Sequence, residues 1–378
     1  MRSYNLLRVL CDTFDVTLAC PHDEPIEPDQ MQHVEELCES VITEPVRHTR
    51  WLRAGASLLG GKSLTEGLFS IPSLQRKVQA AQQSRPFDVA FVFCSSMFPY
   101  VRNELFRSTP RVVDVVDVDS EKWRQMGEEN RGPKRWIYKA ESRRVKQLEH
   151  EIGSTAHSIT LVSESEARLF DEVASPPQPS LGVSNGVDAE YFSPPSTSSE
   201  SDTRRLVFTG VMDYPPNVEG MCWFCSEVLP TIRQRHDIQL DIVGRNPTRK
   251  VVELGELPGV NVTSAVPDVR PFLHRASIAI SPLHLARGIQ NKVLEAMAAG
   301  LPVISTPQAA TGIDGVDGEH FLIVESTQQW CDALDKLIGD EHHRTQMGRA
   351  ARDLVVERYA WPAKLAPIQD LLNEMTLT

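Results

Sequence analysis

Short runs of β-branched and aliphatic residues, most of them separated by longer amphipathic stretches, limit what this chain can fold into. In the first half the runs are residues 16–20, 89–94, 111–118 and 158–162. In the second half they are 205–209, 239–243, 277–281, 302–305 and 321–324. Nearly continuous apolar strands joined by helical crossovers make parallel sheets covered on both faces. Two such sets in 378 residues predict an α/β chain of two Rossmann-like, doubly wound domains.

Two polar segments rich in Pro and Ser, 175–180 and 191–202, divide the sets, with Val183-Ser184-Asn185-Gly186-Val187-Asp188 between them. The predicted domains are 1–184 and 185–360, with a hinge near Asn185 and a C-terminal helix, 361–378, that packs back toward the first domain. A Rossmann-like half opens with a strand, a glycine-rich turn and a helix. This sequence opens on a helix-like stretch, 3–11, so the first strand of the N-terminal domain is expected to be missing.

The net charge of −12 argues against general binding of nucleic acid and leaves anionic surfaces to local basic patches. No apolar run approaches the roughly 18–20 residues of a membrane span. Residues 1–10 carry two arginines and do not read as a signal peptide. Seven scattered cysteines suit reduced thiols in a cytoplasm. Cys222 and Cys225 form a C-x-x-C inside an apolar helical run, which favours a packed helix over a redox pair. His342 and His343 read as a solvated face, not a metal site.

The segment Ala286-Arg287-Gly288-Ile289-Gln290-Asn291-Lys292-Val293-Leu294-Glu295 follows a strand and enters a helix that Gly300 ends. A helix start after a parallel strand offers backbone N–H groups and a positive dipole end, which suits a diphosphate. Arg287 and Lys292 add charge there, and Glu295 shares a helix face with Asn291, where a carboxylate can accept from ribose hydroxyls. On local physics alone, a buried strand–loop–helix with solvated cations explains the same pattern equally well.

This segment resembles the E-x7-E donor region of family-4-type GT-B glycosyltransferases, whose two domains face a cleft. The resemblance spans essentially the whole chain, most strongly 184–362. It implies an acceptor-binding first domain, a second domain for the nucleotide sugar, and retaining, metal-independent transfer of a hexosyl-type group. Nucleotide-diphosphate sugar is then a substrate, with no cofactor. Glu295 matches the second Glu, while Arg287 stands where the first Glu is usual. The Ala-Arg-Gly-Ile-Gln-Asn-Lys pattern is similar to a subgroup associated with exosortase/PEP-CTERM exopolysaccharide systems. The donor set implied is Gly210, Asn217, Arg245, Asp268, Arg287, Gly288, Ile289, Gln290, Asn291, Lys292 and Glu295. Gly210 and Asn217 lie in the turn after residues 205–209, and Arg245 follows Gly244 after the next strand. Asp268 falls where the family contacts the base, and also reads as a helix cap.

Two strand ends in the first domain resemble cleft loops of the same subgroup. They carry Ser95, Ser96, Asp117, Asp119 and Lys122 as acceptor-side candidates. Asp117-x-Asp119 also has the look of a metal-gripping pair, a reading set aside because the phosphate cations belong to the other domain. Asp117, as partner of the acceptor hydroxyl, and Arg287 are the catalytic candidates, and no metal site is expected. The acceptor is expected to be a glycan or a lipid-linked glycan, and nucleic acid is not an expected partner.

Residues 131–150 hold seven Lys or Arg against Glu141 and Glu149. With Trp136 nearby, this helix suits peripheral contact with the inner face of an anionic membrane. Its expected buried stripe is Ile137, Ala140, Val145, Leu148 and Ile152, with Lys134, Arg135, Lys139, Arg143 and Lys146 outside. A solvated helix without a partner accounts for it as well. Competing readings are a non-catalytic sugar-nucleotide-binding scaffold, a phosphorylase lacking an obvious pyridoxal lysine, and a GT-B epimerase, for which His22 and His284 are the candidates.

Overall fold

The computed structural model describes residues 2–46, 53–55, 57, 60–195, 204–286 and 289–376. It divides into two compact units, Met1–Asn185 with Lys364–Thr378, and Gly186–Ala363.

The second unit is built on six parallel strands: β7 (Arg205–Thr209), β8 (Gln239–Val243), β9 (Val260–Thr263), β10 (Ile278–Ser281), β11 (Val303–Ser305) and β12 (Leu322–Ile323). Their order is β12-β11-β10-β7-β8-β9, which in order of appearance within the unit is the doubly wound 3-2-1-4-5-6. Side chains alternate across the sheet. Leu206, Phe208, Leu240, Ile242 and Ile280 enter one core layer, and Val207, Val243, Ala279 and Val303 the other. The order reverses between β7 and β10, which pair in register at Ile278↔Leu206. That switch point is where an open sheet leaves a crevice beyond its carboxyl ends.

Glycines allow the strand ends to converge there. A Cβ on Gly244 would lie 1.6 Å from the Gly210 carbonyl oxygen, and one on Gly220 would lie 2.5 Å from that of Pro282. Only hydrogen fits at either point. Helix Asn291–Ala298 follows β10 and ends at Gly300, whose φ of 75° gives the left-handed turn that stops a helix.

The first unit begins, among the described residues, with helix Arg2–Cys11. Strands β1 (Thr17–His22) and β2 (Ser40–Pro45) pair in parallel as one sheet. Strands β3 (Ala90–Phe93), β4 (Arg111–Val116), β5 (Ser158–Leu161) and β6 (Leu181–Gly182) form a second parallel sheet in that order. Arg2 is 8% exposed. It donates from Nε to Asp114 in β4 (2.8 Å) and from Nη1 to the Val183 carbonyl (2.8 Å) and Asn185 Oδ1 (3.2 Å). The terminal helix Trp361–Thr376 buries Leu365, Ile368 and Leu372, and Gln369 donates to the Val9 carbonyl at 3.0 Å.

Helix Pro133–Thr155 departs from its sequence reading at one end. Val145, Leu148 and Ile152 are buried as expected, but Ile137 is 49% exposed beside Trp136 at 74%. The stripe runs off the core before the helix begins, so its first turns stand in solvent. Glu141 and Glu149 point inward and are fully buried. Glu141 accepts from Leu64 N (2.7 Å) and Thr65 N (2.9 Å) and so caps helix Leu64–Phe69. Cys225 is buried and Cys222 partly so, on the continuous helical run from Pro215. Burial raises both thiols, Cys225 to about 12, which is the packed-helix outcome.

Candidate active site

In the second unit the polar groups gather at the β7/β10 switch point. Lys292, in the first turn of helix Asn291–Ala298, donates to Asn217 Oδ1 at 2.5 Å and lies 4.7 Å from the Phe208 ring centroid. Asn217 is 2% exposed, and its Nδ2 donates to the Val211 carbonyl at 2.8 Å, which fixes the amide's orientation. Gly210 is required beside it, because a Cβ would meet Asn217 Nδ2 at 2.8 Å. Burial lowers the Lys292 ammonium to about 8, against the opposing pull of Glu295. Burial likewise raises Glu295, and Lys292 partly offsets it. A sunken ammonium therefore has a neutral amide and an aromatic face as its close partners. The side chain of its N-cap residue, Gln290, makes no capping hydrogen bond to the start of the helix. Such a start presents N–H groups and positive dipole to an anion.

Arg245 is exposed on the turn after β8, where its carbonyl accepts from Met212 N at 2.8 Å. Asp268 is engaged by Arg270 through backbone N (2.9 Å), Nε (2.9 Å) and Nη2 (2.8 Å), and by Tyr191 Oη at 3.2 Å. The Arg270 side-chain hydrogen bond, followed by its backbone one, holds the carboxyl down at about 2. The guanidinium lies 4.0 Å from the Tyr191 ring centroid, making a flat cation–aromatic face. Both the capping contact and a base-sized platform are thus present. Ile289 packs into the core layer, with Gly312 opposite it, so only its backbone is left for a ligand. Arg287 and Gly288 lie outside the described residues. A cavity of about 10 Å³ lined by Val207, Thr209, Ser281 and Lys292 has room for about one water and is not a nucleotide site.

In the first unit β3 and β4 end side by side, and each turns through a left-handed residue that is not glycine, Cys94 at φ 65° and Val116 at φ 73°. Positive φ on a β-branched valine is costly and collects at functional sites. The turn beyond β4 carries Asp117, Asp119 and Lys122. Lys122 Nζ donates to Asp117 Oδ2 (2.7 Å) and Asp119 Oδ1 (3.4 Å), and Ser95 Oγ donates to Asp119 Oδ2 (3.3 Å). Burial pulls the Lys122 ammonium down, but Asp117 and Asp119 outweigh it and hold it above its ordinary value. Ser96 Oγ lies 3.1 Å from Cys94 Sγ instead.

Residues 203–340 match the family model described as glycosyl transferases group 1. Sucrose-phosphate synthase from Thermosynechococcus elongatus superposes with a TM-score of 0.63 at 14% identity, covering 99% of this chain and 92% of that one. Anabaena HepE in complex with UDP-glucose gives 0.59 at 12% identity, covering 99% and 96%. Residues 203–340 are thus similar to group 1 glycosyltransferases, and the chain has a GT-B fold.

The GDP-mannose-dependent alpha-(1-6)-phosphatidylinositol monomannoside mannosyltransferase of Mycolicibacterium smegmatis is 24% identical over 59% of this chain and 63% of its own length. The capsular polysaccharide biosynthesis glycosyltransferase CapM of Staphylococcus aureus is 24% identical over 48% and 50%. The D-inositol 3-phosphate glycosyltransferase of Corynebacterium aurimucosum is 34% identical over 21% of this chain and 19% of its own. The chain thus spans between about a fifth and under two thirds of these curated relatives. In this GT-B chain Gly210, Asn217 and Lys292 come together, as do Ser95, Asp117, Asp119 and Lys122. No helix among the described residues is long and apolar enough to cross a membrane.

Proposed function

We propose that this chain is a retaining, metal-independent glycosyltransferase that moves a sugar from a nucleotide-diphosphate sugar to a glycan or lipid-linked acceptor in surface polysaccharide synthesis. The observation that carries the reading is Lys292, a half-buried ammonium partnered by neutral Asn217 at a helix start beyond the switch point whose N-cap side chain makes no capping bond. A diphosphate supplies the missing negative charge. The solved complex of HepE with UDP-glucose and the capsular relative support the donor and product classes. The Ala286-to-Lys292 pattern supports the exosortase-linked subgroup.

In this reading the donor's anomeric C–O bond breaks and the diphosphate leaves with the electron pair, steadied by Lys292 and the helix N–H groups. The acceptor hydroxyl forms the new bond on the same face, and its proton passes to the departing phosphate. Asp117 orients that hydroxyl. Glu295 accepts from the ribose, and Arg287, Gly288, Gln290 and Asn291 complete the donor loop. Arg245, Asp268 and the Tyr191–Arg270 face serve the nucleotide end.

The test is calorimetric binding of UDP-, GDP-, ADP- and dTDP-sugars with and without EDTA, beside Lys292→Ala and Glu295→Ala. Binding of one nucleotide class, indifferent to EDTA and weakened by both changes, is expected. A folded protein that binds none of them sinks the transferase and donor-binding readings together.

One further surface favours peripheral attachment to an anionic bilayer. Residues 131–137 are all exposed, including Arg131, Lys134, Arg135, Trp136 and Ile137. Glu141 and Glu149 face inward and the third acid of this helix, Glu151, pairs with Arg102 near its far end, so the outer side of its first turns is basic in a chain of net charge −12. Cosedimentation with phosphatidylglycerol vesicles, but not with phosphatidylcholine vesicles, is expected, and loss of it in Trp136→Ser with Lys134→Glu. Equal recovery with both vesicles ends this reading.

A further inference from the structure

The turn beyond β4 begins helix Asp119–Glu129, and no side chain of its own segment caps that helix. The orphaned N–H groups are taken from outside. Val118 N donates to Glu166 Oε2 at 2.9 Å, from helix Glu164–Ala174. Ser120 N donates to Glu149 Oε1 at 3.0 Å, from helix Pro133–Thr155. Between these two anchored amides stands Asp119, with Asp117 on one side and Lys122 one turn on. The preceding backbone is strained at Val116, and β4 slips register against β5 between Asp114 and Val116. A turn in that state keeps its shape only if its surroundings hold it.

We propose that Glu149 and Glu166 are positioning residues that clamp the 117–122 turn from two helices, and that protonation of Glu149 loosens the clamp. The proposal rests on the acceptor-side reading of Asp117 above. Glu149 is fully buried, and its Oε2 and the neighbouring Ser120 Oγ have no hydrogen-bond partner among the described residues. Burial raises its carboxyl to about 7, opposed by the neighbouring Ser120 and helped by the charges of Asp119 and Glu121. The other elements against this helix add Glu166 from helix Glu164–Ala174 and Tyr100 from the turn Ser95–Tyr100, whose hydroxyl is committed to the Phe69 carbonyl.

The ionised carboxylate accepts more strongly from Ser120 N and complements the positive end of the helix. Above about pH 7 the clamp is therefore tight, and below it one jaw is weakened. Glu149 is the jaw that varies with pH.

Hydrogen exchange of peptides covering 116–123 is measured from pH 5.5 to 8.5, corrected for intrinsic rates, in the intact chain and in Glu149→Gln and Glu166→Gln. Protection that rises about tenfold through pH 7 in the parent, stays flat at the lower level in Glu149→Gln, and keeps its step from a lower start in Glu166→Gln is expected. The same step in Glu149→Gln as in the parent overturns the proposal, as does a parent with no step. In turnover, transfer to acceptor is expected to follow this profile while donor hydrolysis does not. Loss of donor hydrolysis in the parent would count against the transferase reading and leave the exchange result to decide the clamp.

Discussion

Each unit holds a lysine at the heart of its candidate site, and the two are provided for in opposite ways. Lys122 has two carboxylates within reach and a raised pKa, so its charge is spent inside the protein. Lys292 has a neutral amide, an aromatic face and a lowered pKa, so its charge is left for something else. Electrostatics alone thus separates a place that asks for an anion from a place that offers polar groups to a neutral hydroxyl.

Stability is the sharpest way to break this comparison. Arg2 is likewise paired with a carboxylate inside the first unit, and its removal leaves buried Asp114 without its cation. Arg2→Met is expected to cost roughly 3–5 kcal/mol in urea unfolding. Lys292→Met should do the reverse and leave the protein as stable or more so. Equal losses in both would erase the distinction.

Ligand binding comes next. Lys292→Met is expected to weaken nucleotide-sugar binding about 10- to 100-fold by calorimetry, the worth of a charge-assisted contact. Asp117→Asn should leave that affinity unchanged and lower acceptor kcat/KM about tenfold. A donor-affinity loss in Asp117→Asn would merge the two sites' roles.

The pH dependence sharpens the contrast further. Lys292 falls from 10.5 in the unfolded chain to about 8 in the folded one, so between those values the unfolded chain holds more protons. Stability therefore rises with pH across that window, while donor binding falls above about pH 8 as the cation is lost. Lys292→Met should flatten both slopes, read by thermal melts and by calorimetry at pH 7 and 9. The smallest effect belongs to Lys122→Ala. Half in solvent, it should change stability by about 1 kcal/mol or less.

Predominantly apolar strands were legible, at centre and edge alike, and two polar edge strands were not. β7 (Arg-Leu-Val-Phe-Thr) and β8 (Gln-Leu-Asp-Ile-Val) are mostly apolar and match their sequence boundaries. β2 (Ser-Val-Ile-Thr-Glu-Pro) and β9 (Val-Asn-Val-Thr) lie at sheet edges, half-buried, and their polar residues hide them from a search for apolar runs. In the site, the helix start at Asn291 could be read locally. The pairing of Lys292 with Asn217, 75 residues away, could not. Glu149 and Glu166 were missed because capping rules look along the chain, and these caps come from other helices. One signal was available. Glu141, Val145, Leu148, Glu149 and Ile152 share a helical face, and acids on an apolar face are buried with a purpose.

The chain leaves its first unit at Asn185 and re-enters it at Lys364, so the second unit is an insert and not a tail. Recombination that swaps this unit for that of another such chain must then cut twice. A single crossover near residue 185 would carry away the segment bearing Leu365, Ile368 and Leu372, and with it part of the recipient's own core. Exchange of second units among such chains is therefore expected to leave paired breakpoints, one at each end of the insert.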